Sequence, residues 1–384
     1  MFFKKKPAEN DERLLAALAT VNDPELHQDL VSLEMVKGAV LKKDRAFIGI
    51  ELTTPACPFK ERIRADVAAA VEAALPGTLV EIEWTARVRN SRYGGGGQGG
   101  PELPGMAGVK NVILVASGKG GVGKSTVAVN LACALRRTGA TVGLLDADIY
   151  GPSVPTMTNQ FNEVTSSDGK TIDPLPAFGL KLMSMGFFIS PDKAMIWRGP
   201  MLHSAVTQFL RDVNWGELDY LICDLPPGTG DVQLTFSQAL KVTGAVIVST
   251  PQTVAIADVI RAQKMFATVD IPVLGLIENM AWFECDGCTK KHYIFANGGA
   301  RNAAAELGVE FLGELPIDIS VREGGDRGLP VVEAQPDSAV ARAFVDLART
   351  VAARASVLGI ERAAAAPEPV GPSVAAKRSL PIIG

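Results

Sequence analysis

Apolar and polar residues change rhythm along the chain, and the changes divide it. Over residues 12–20 the apolar positions recur at helical spacing. Residues 36–41 and 46–53 alternate or run apolar, as paired strands do. Pro58 opens an Ala-rich segment whose spacing predicts a helix to about residue 74, and 79–88 reads as a last strand. Helix, strand, strand, helix, strand over residues 8–90 predicts a small α+β domain. Beyond residue 108 the rhythm is different. Short β-branched runs at 111–116, 141–145, 220–223, 245–249, 273–277 and 311–313 alternate with helical patterns such as 124–137 and 254–268. That alternation predicts an α/β fold, a mostly parallel, doubly wound sheet covered on both faces. Ligands then bind at the carboxyl ends of its strands.

Between the two units lies Gly94-Gly95-Gly96-Gly97-Gln98-Gly99-Gly100, followed by Pro101 and Pro104. Glycine-rich sequence cannot pack a core, so 91–107 is expected to be a flexible linker. Residues 108–355 form the large domain. From 356 to 384 the chain is rich in Ala and Pro and is expected to be a disordered tail.

Composition excludes several classes. Lys and Arg total 38 against 42 Asp and Glu, a net charge of −4, which argues against a nucleic-acid-coating protein. No apolar run is long enough to span a membrane, and the basic N-terminus lacks the apolar stretch of a secretory signal. Five scattered cysteines suit a reducing, cytoplasmic setting better than a disulfide framework.

The first candidate site follows the strand ending at Ala116. Gly118-Lys119-Gly120-Gly121-Val122-Gly123-Lys124-Ser125-Thr126 fits G-x-x-x-x-G-K-[ST]. The glycines let backbone N–H groups turn toward an anion, and the next helix adds its positive end. Lys124 can reach the β and γ phosphates of ATP, and Ser125 can offer its hydroxyl to Mg²⁺. The stretch also satisfies the dinucleotide fingerprint G-x-G-x-x-G, with Asp146 placed where a ribose-binding acid would stand. A Rossmann turn has no use for Lys124-Ser125-Thr126, so the phosphate loop is the better reading. Two acidic strand ends support it. Tyr220-Leu221-Ile222-Cys223-Asp224 is an apolar strand closed by a carboxylate, as in a Walker-B element. Asp146-Ala147-Asp148 closes another. There Asp148 is expected to orient the attacking water and Asp146 to support Mg²⁺ through its waters.

The second candidate is Cys285-Asp286-Gly287-Cys288. Iron–sulfur clusters and structural zinc both want about four ligands, and this pair supplies two. A homodimer would bring four thiolates to one [4Fe–4S] cluster. Zinc with His292, a redox pair and two inert thiols remain open. Cys133 and Cys223 read as small core residues. Cys57, between Pro55 and Pro58 at a helix start, is where a helix dipole could favour a thiolate.

The chain resembles the deviant-Walker-A ATPases, the group containing MinD, ParA and the Mrp/ApbC proteins. The mark is the extra Lys119 in the phosphate loop. Within the group it is most similar to the Mrp/ApbC iron–sulfur cluster carriers. The matching stretches are Asp146-Ala147-Asp148-Ile149-Tyr150-Gly151-Pro152-Ser153, Asp224-Leu225-Pro226-Pro227-Gly228-Thr229-Gly230-Asp231 and Glu278-Asn279-Met280, then the cysteine pair, Ile294-Phe295 and Gly298-Gly299. Asp23-Pro24-Glu25 and Thr54-Pro55-Ala56-Cys57-Pro58 resemble the small domain that precedes the ATPase in many such proteins. The resemblance implies an ATP-dependent carrier that works as a homodimer with apo iron–sulfur proteins and cluster scaffold proteins, and with neither nucleic acid nor membrane. It implies that Lys119 reaches the partner's nucleotide, that Asn279 reads the adenine edge, and that Cys285 and Cys288 hold the cluster. Loops after Asp148 and Asp224 are then expected to couple nucleotide state to the cysteines. A MinD- or ParA-like positioning ATPase and a zinc-stapled regulatory NTPase are the alternatives.

Overall fold

The computed structural model describes residues 10–90, 103–148, 151–188, 199–228, 231–240, 242–285 and 287–365. The N-terminal unit runs α1 (Glu12–Leu18), β1 (Val36–Lys42), β2 (Arg45–Leu52), α2 (Lys60–Ala74) and β3 (Leu79–Ala86). Asp11 caps α1 by accepting from the N–H groups of Arg13 and Leu14. β1 and β2 pair antiparallel, and β3 joins β2 in parallel. One face of this sheet buries Ile48 and Ile50 with Leu14, Leu18, Ile63, Val67 and Val71 of the two helices. The order matches the periodicity of the sequence because each element owns a separate apolar face.

The large unit continues with β4 (Val109–Ala116), α3 (Lys124–Arg137), β5 (Val142–Asp146), α4 (Val154–Thr158), β6 (Leu175–Ala177), β7 (Leu180–Ser184), α5 (Gly199–Asp212) and β8 (Leu218–Asp224). Then follow α6 (Asp231–Ala239), β9 (Gly244–Ser249), α7 (Thr253–Thr268), β10 (Val273–Glu278), β11 (Phe283–Glu284), β12 (Lys291–His292), α8 (Gly299–Leu307), β13 (Phe311–Glu314), α9 (Ile319–Arg327), α10 (Val331–Ala334) and α11 (Ala339–Ala365). Eight strands form one sheet in the order β13-β10-β9-β4-β8-β5-β7-β6. All neighbours are parallel except the edge strand β6. Apart from Lys110 and Asp219 the central strands are buried, so they read as nearly continuous apolar runs. One sheet face packs Val127, Leu131 and Leu135 of α3 with Phe344, Leu347 and Val351 of α11. The other packs Phe209 of α5, Phe236 of α6 and Phe266 of α7.

Two expectations are corrected. The helix containing Phe344 continues to Ala365, so residues 356–365, assigned to the tail, belong to the domain. Its Ala-rich sequence favours helix once the preceding turns are packed. The end of the expected linker is also structured. Pro104–Met106 forms a 3₁₀ turn, and Met106 is buried beside Leu210 and Val213. Strands β6 and β7 were not predicted. Residues 91–102 and 366–384 lie outside the described residues.

The two units touch. Tyr220 donates its hydroxyl to Thr54 at 3.0 Å, and the Asn111 side chain donates to Arg89 O at 3.1 Å.

Candidate nucleotide and thiol sites

Strand ends at the centre of the sheet assemble the phosphate site. β4 leads into Ser117 and the loop. Gly123 has φ 81° and ends the loop in a left-handed conformation, and α3 begins at the next residue. A Cβ on Gly118 would run into the backbone of Asp258 on α7, so the loop lies against that helix. Ser117 Oγ donates to Lys119 O at 2.9 Å, and Ser117 O accepts from Gly228 N–H at 2.9 Å, joining the loop to the segment after β8.

Lys124 is buried at the start of α3. Its Nζ donates to Asp224 Oδ1 at 2.5 Å and to Ser125 Oγ at 3.2 Å. Asp224 is fully buried, and its Oδ2 has no hydrogen-bond partner. Burial pushes the Asp224 carboxyl up, and the Lys124 ammonium opposes the shift. Asp146 stands opposite Asp224 in the parallel register of β5 and β8. Burial, then the charge of Asp224, pushes Asp146 up to about 7. Its carboxylate accepts from Asp148 N–H, Val154 N–H and Ser184 Oγ at 3.0–3.2 Å. Asp148 is buried on the same rim and lies close enough for its charge to act on Asp224. Lys119 is half-buried in the loop. The structure thus gathers Lys124, Ser125, Asp146, Asp148 and Asp224.

Asn279 follows β10. Its amide donates to Val122 O of the phosphate loop at 2.9 Å, so its observed role is to brace that loop. The sequence reading gave no role to two contributors, Gln233 and Glu278, the second named there only within a matching stretch. Gln233 of α6 is fully buried and donates to Pro226 O and Gly228 O at 3.3 and 2.9 Å, holding the loop after Asp224. Glu278 is buried at the tip of β10. A polar residue on an otherwise apolar helix face or strand was the available signal for each.

The cysteine pair occupies the turn between β11 and β12. Phe283 pairs with His292 and Glu284 with Lys291. Cys285 N–H donates to Lys290 O at 3.0 Å, and Cys285 O accepts from Thr289 N–H at 2.8 Å and Cys288 N–H at 3.3 Å. Cys285 is half-buried, Cys288 is exposed, and neither is in a disulfide. The turn is not a helix start, which removes the geometry of a thioredoxin-type pair. Among the described residues no group of three or more Cys, His, Asp or Glu side chains is placed to hold a metal ion, and His292 with the two cysteines does not form one. Cys285 lines a groove of about 700 Å³ with Trp282, Lys291, Ile317, Ile319 and Val340. Tyr293, Ile294 and Phe295, just beyond β12, are 46%, 59% and 42% exposed.

Cys133 and Cys223 are buried in the core, and burial raises both thiols. Cys57 departs from expectation. Burial pushes its thiol up to about 11 and outweighs the N–H groups of Phe59 and Lys60 at the helix start, so the thiolate is disfavoured. No helix among the described residues is long and apolar enough to cross a membrane.

A glycine-rich loop between a buried parallel strand and a helix, with its lysine on the carboxylate of a neighbouring strand, defines a P-loop NTPase. Residues 108–352 match the model of the NUBPL iron-transfer P-loop NTPases, and residues 11–84 match that of an iron-sulfur cluster assembly protein. The chain belongs to the NUBPL iron-transfer P-loop NTPase family, the Mrp/ApbC side of the deviant-Walker-A group. Relatives named iron-sulfur cluster carrier protein include one from Deinococcus radiodurans, 51% identical over 351 residues, covering 90% of this chain and 96% of its own length. Another, from Synechocystis, is 46% identical over 355 residues, covering 91% and 99%. A solved nucleotide-binding protein from Archaeoglobus fulgidus in complex with ADP is 42% identical with a TM-score of 0.54, over 60% of this chain and 91% of that one.

Proposed function

We propose that this chain is an ATP-dependent iron–sulfur cluster carrier, the cluster being its cargo. The observation that carries the reading is the placement of Cys285 and Cys288. Two thiols stand at the tip of a short solvent-facing hairpin, which follows directly on β10 of the sheet that carries the P-loop. Two thiolates are half a ligand set. A homodimer supplies four, and a [4Fe–4S] cluster shared across its two-fold axis stays within reach of an incoming ligand. The exposed run 293–295 offers apolar area beside the pair for that contact. The names of the relatives support the same reading. Donors and recipients are then cluster scaffold proteins and apo iron–sulfur proteins.

ATP enters at residues 118–126. Lys124 leaves Asp224 for the phosphates, trading one buried charge pair for another. Loop N–H groups and the start of α3 hold the remaining phosphate oxygens. The donor set fits Mg²⁺, because Asp224 Oδ2 is buried without a partner and stands beside Lys124 and Ser125. Hydroxyl and carboxylate oxygens suit this hard cation. Ser125 and Asp224 would hold it, and when bound it neutralises phosphate charge. Asp146 keeps β5 and α4 in register with the site. Asp148 orients the attacking water. Lys119 reaches the nucleotide of the second protomer, which ties hydrolysis to dimer closure.

The test is iron and acid-labile sulfide counting after anaerobic reconstitution. About four irons per dimer are expected. Cys285→Ser with Cys288→Ser should remove them and leave ATP binding intact. Zinc at one per chain without visible absorbance, or unchanged iron in the double variant, would overturn the assignment.

A further inference from the structure

The tip of β10 holds the base of the cysteine loop and the phosphate loop at once. Glu278 accepts from Gly298 N–H at 3.2 Å and from Ala300 N–H at 2.6 Å, closing the excursion that begins after residue 279 and carries both cysteines. Asn279 is tied twice. Its N–H donates to Ser249 O at 2.7 Å and its side chain to Val122 O at 2.9 Å. Met280 has φ 58°, a left-handed conformation in a residue with a Cβ, which is uncommon and strained. Its Cε lies 3.5 Å from where a Cβ on Gly123 would stand. From there the chain is guided outward. Ala281 N–H donates to Leu315 O at 2.9 Å, Trp282 O accepts from Ile317 N–H at 2.6 Å, and Phe283 bridges Ile317. The next residue but one is Cys285.

We propose that Asn279 and Met280 form the mechanical link between nucleotide state and the cysteine hairpin. This rests on the carrier reading and names its coupling element. Phosphates drawing in the loop N–H groups shift Val122, whose carbonyl the Asn279 amide follows. Met280, held in a strained conformation, is the hinge that turns this shift into a new aim for Trp282, Phe283 and the thiols. Both residues are positioning residues. The loops after Asp148 and Asp224, expected from the sequence to couple the sites, leave from β5 and β8. β8 is separated from β10 by β9 and β4, about 14 Å at strand spacing. Asn279, directly after β10, reaches the phosphate loop that follows β4 with one side-chain hydrogen bond.

The test uses the full-length, reduced protein without cluster. Iodoacetamide labelling rates of Cys285 and Cys288 are read by peptide mass spectrometry without nucleotide, with ADP and with a non-hydrolysable ATP analogue plus Mg²⁺, each at measured saturation. In the wild type the analogue should change at least one rate by about fivefold or more, the lower end of common allosteric coupling. Met280→Gly should bring that ratio below about twofold while ATP hydrolysis stays at the wild-type rate. Asn279→Ala should likewise bring the ratio below about twofold at saturating nucleotide, whatever its effect on hydrolysis, and it decides the matter if Met280→Gly fails to fold. A wild-type ratio near one, or a full ratio retained in the variants, overturns the link. Iron loading of the same preparations reports on the carrier reading separately. A wild type that loads no iron sinks that reading, whereas variants that load iron and lose the nucleotide response support the link.

Discussion

The phosphate site and the cysteine hairpin belong to one domain and are built on opposite terms, the first on the eight-stranded sheet and the second on a two-stranded sheet of its own. Asp146 and Asp224 are buried at the ends of strands that are themselves buried, Lys124 is buried at the start of α3, and neighbouring groups hold most of their polar atoms. Charges kept in such a place are oriented before the nucleotide arrives, which is where electrostatic stabilisation works best. The cysteines sit in the turn that joins two strands of two residues each, Cys285 half-buried and Cys288 exposed. Thiols that must give up a cargo to another protein need access, and access forbids the same enclosure. The difference teaches that this chain encloses its phosphate site in the core and leaves its thiol pair outside it.

The comparison can be broken most sharply at Lys124. Lys124→Ala leaves Asp224 buried without its cation, a change that costs about 3–5 kcal/mol when the charge remains. ATP turnover should fall by about 100-fold or more. The loss of melting temperature should be smaller at pH 6 than at pH 8, because a carboxyl with a raised pKa escapes the penalty by taking a proton as pH falls. Turnover near the wild-type rate would mean that the phosphates bind elsewhere. Next in size is Gly123→Ala. A Cβ at φ 81° would run into Asn279 Nδ2. We expect a destabilisation of about 1–2 kcal/mol with clearly weaker nucleotide binding. An unchanged dissociation constant by calorimetry would show that the loop is less constrained than the phosphate site requires.

The smallest effect lies at the seam with the N-terminal unit, outside both sites. Burial, then the charge of Asp23, raises Glu25 to about 7, with Arg354 of α11 opposing. The folded state holds this proton over a range in which the unfolded chain has released it. Its contribution to stability therefore falls as pH rises from about 4.5 to 7 and is flat above. Glu25→Gln should raise the melting temperature at pH 8 by about 1–3 °C and leave it little changed at pH 5. Equal shifts at both pH values would remove the ionisation from the explanation.

The parts legible in the sequence are those whose information is local. The strands ending at Ala116, Asp146 and Asp224 announce themselves by apolar runs closed with Gly or Asp, and the phosphate loop by residue spacing. β6 and β7 were missed because Leu-Pro-Ala and Leu-Lys-Leu-Met-Ser carry no β-branched run. They are strands because β5 offers β7 an edge to pair with. Cys57 misled because a helix start is visible in sequence and the depth of its burial is not. Asn279 was read toward adenine from resemblance, and its contact with Val122 of the phosphate loop is one that only the fold shows.

By itself, then, the sequence determined the α/β class, the phosphate-binding loop with its lysine and hydroxyl, the acidic strand ends, and a thiol pair close enough in the chain to act together. Only the tertiary structure decided that Asp146 faces Asp224, that Lys124 lies on Asp224, and that six residues lead from the loop brace to the first cysteine along Leu315 and Ile317. Spacing along a chain fixes which groups one turn or strand can present. Register between strands and burial come from contacts between segments far apart in sequence, and their energy depends on the whole packed sheet.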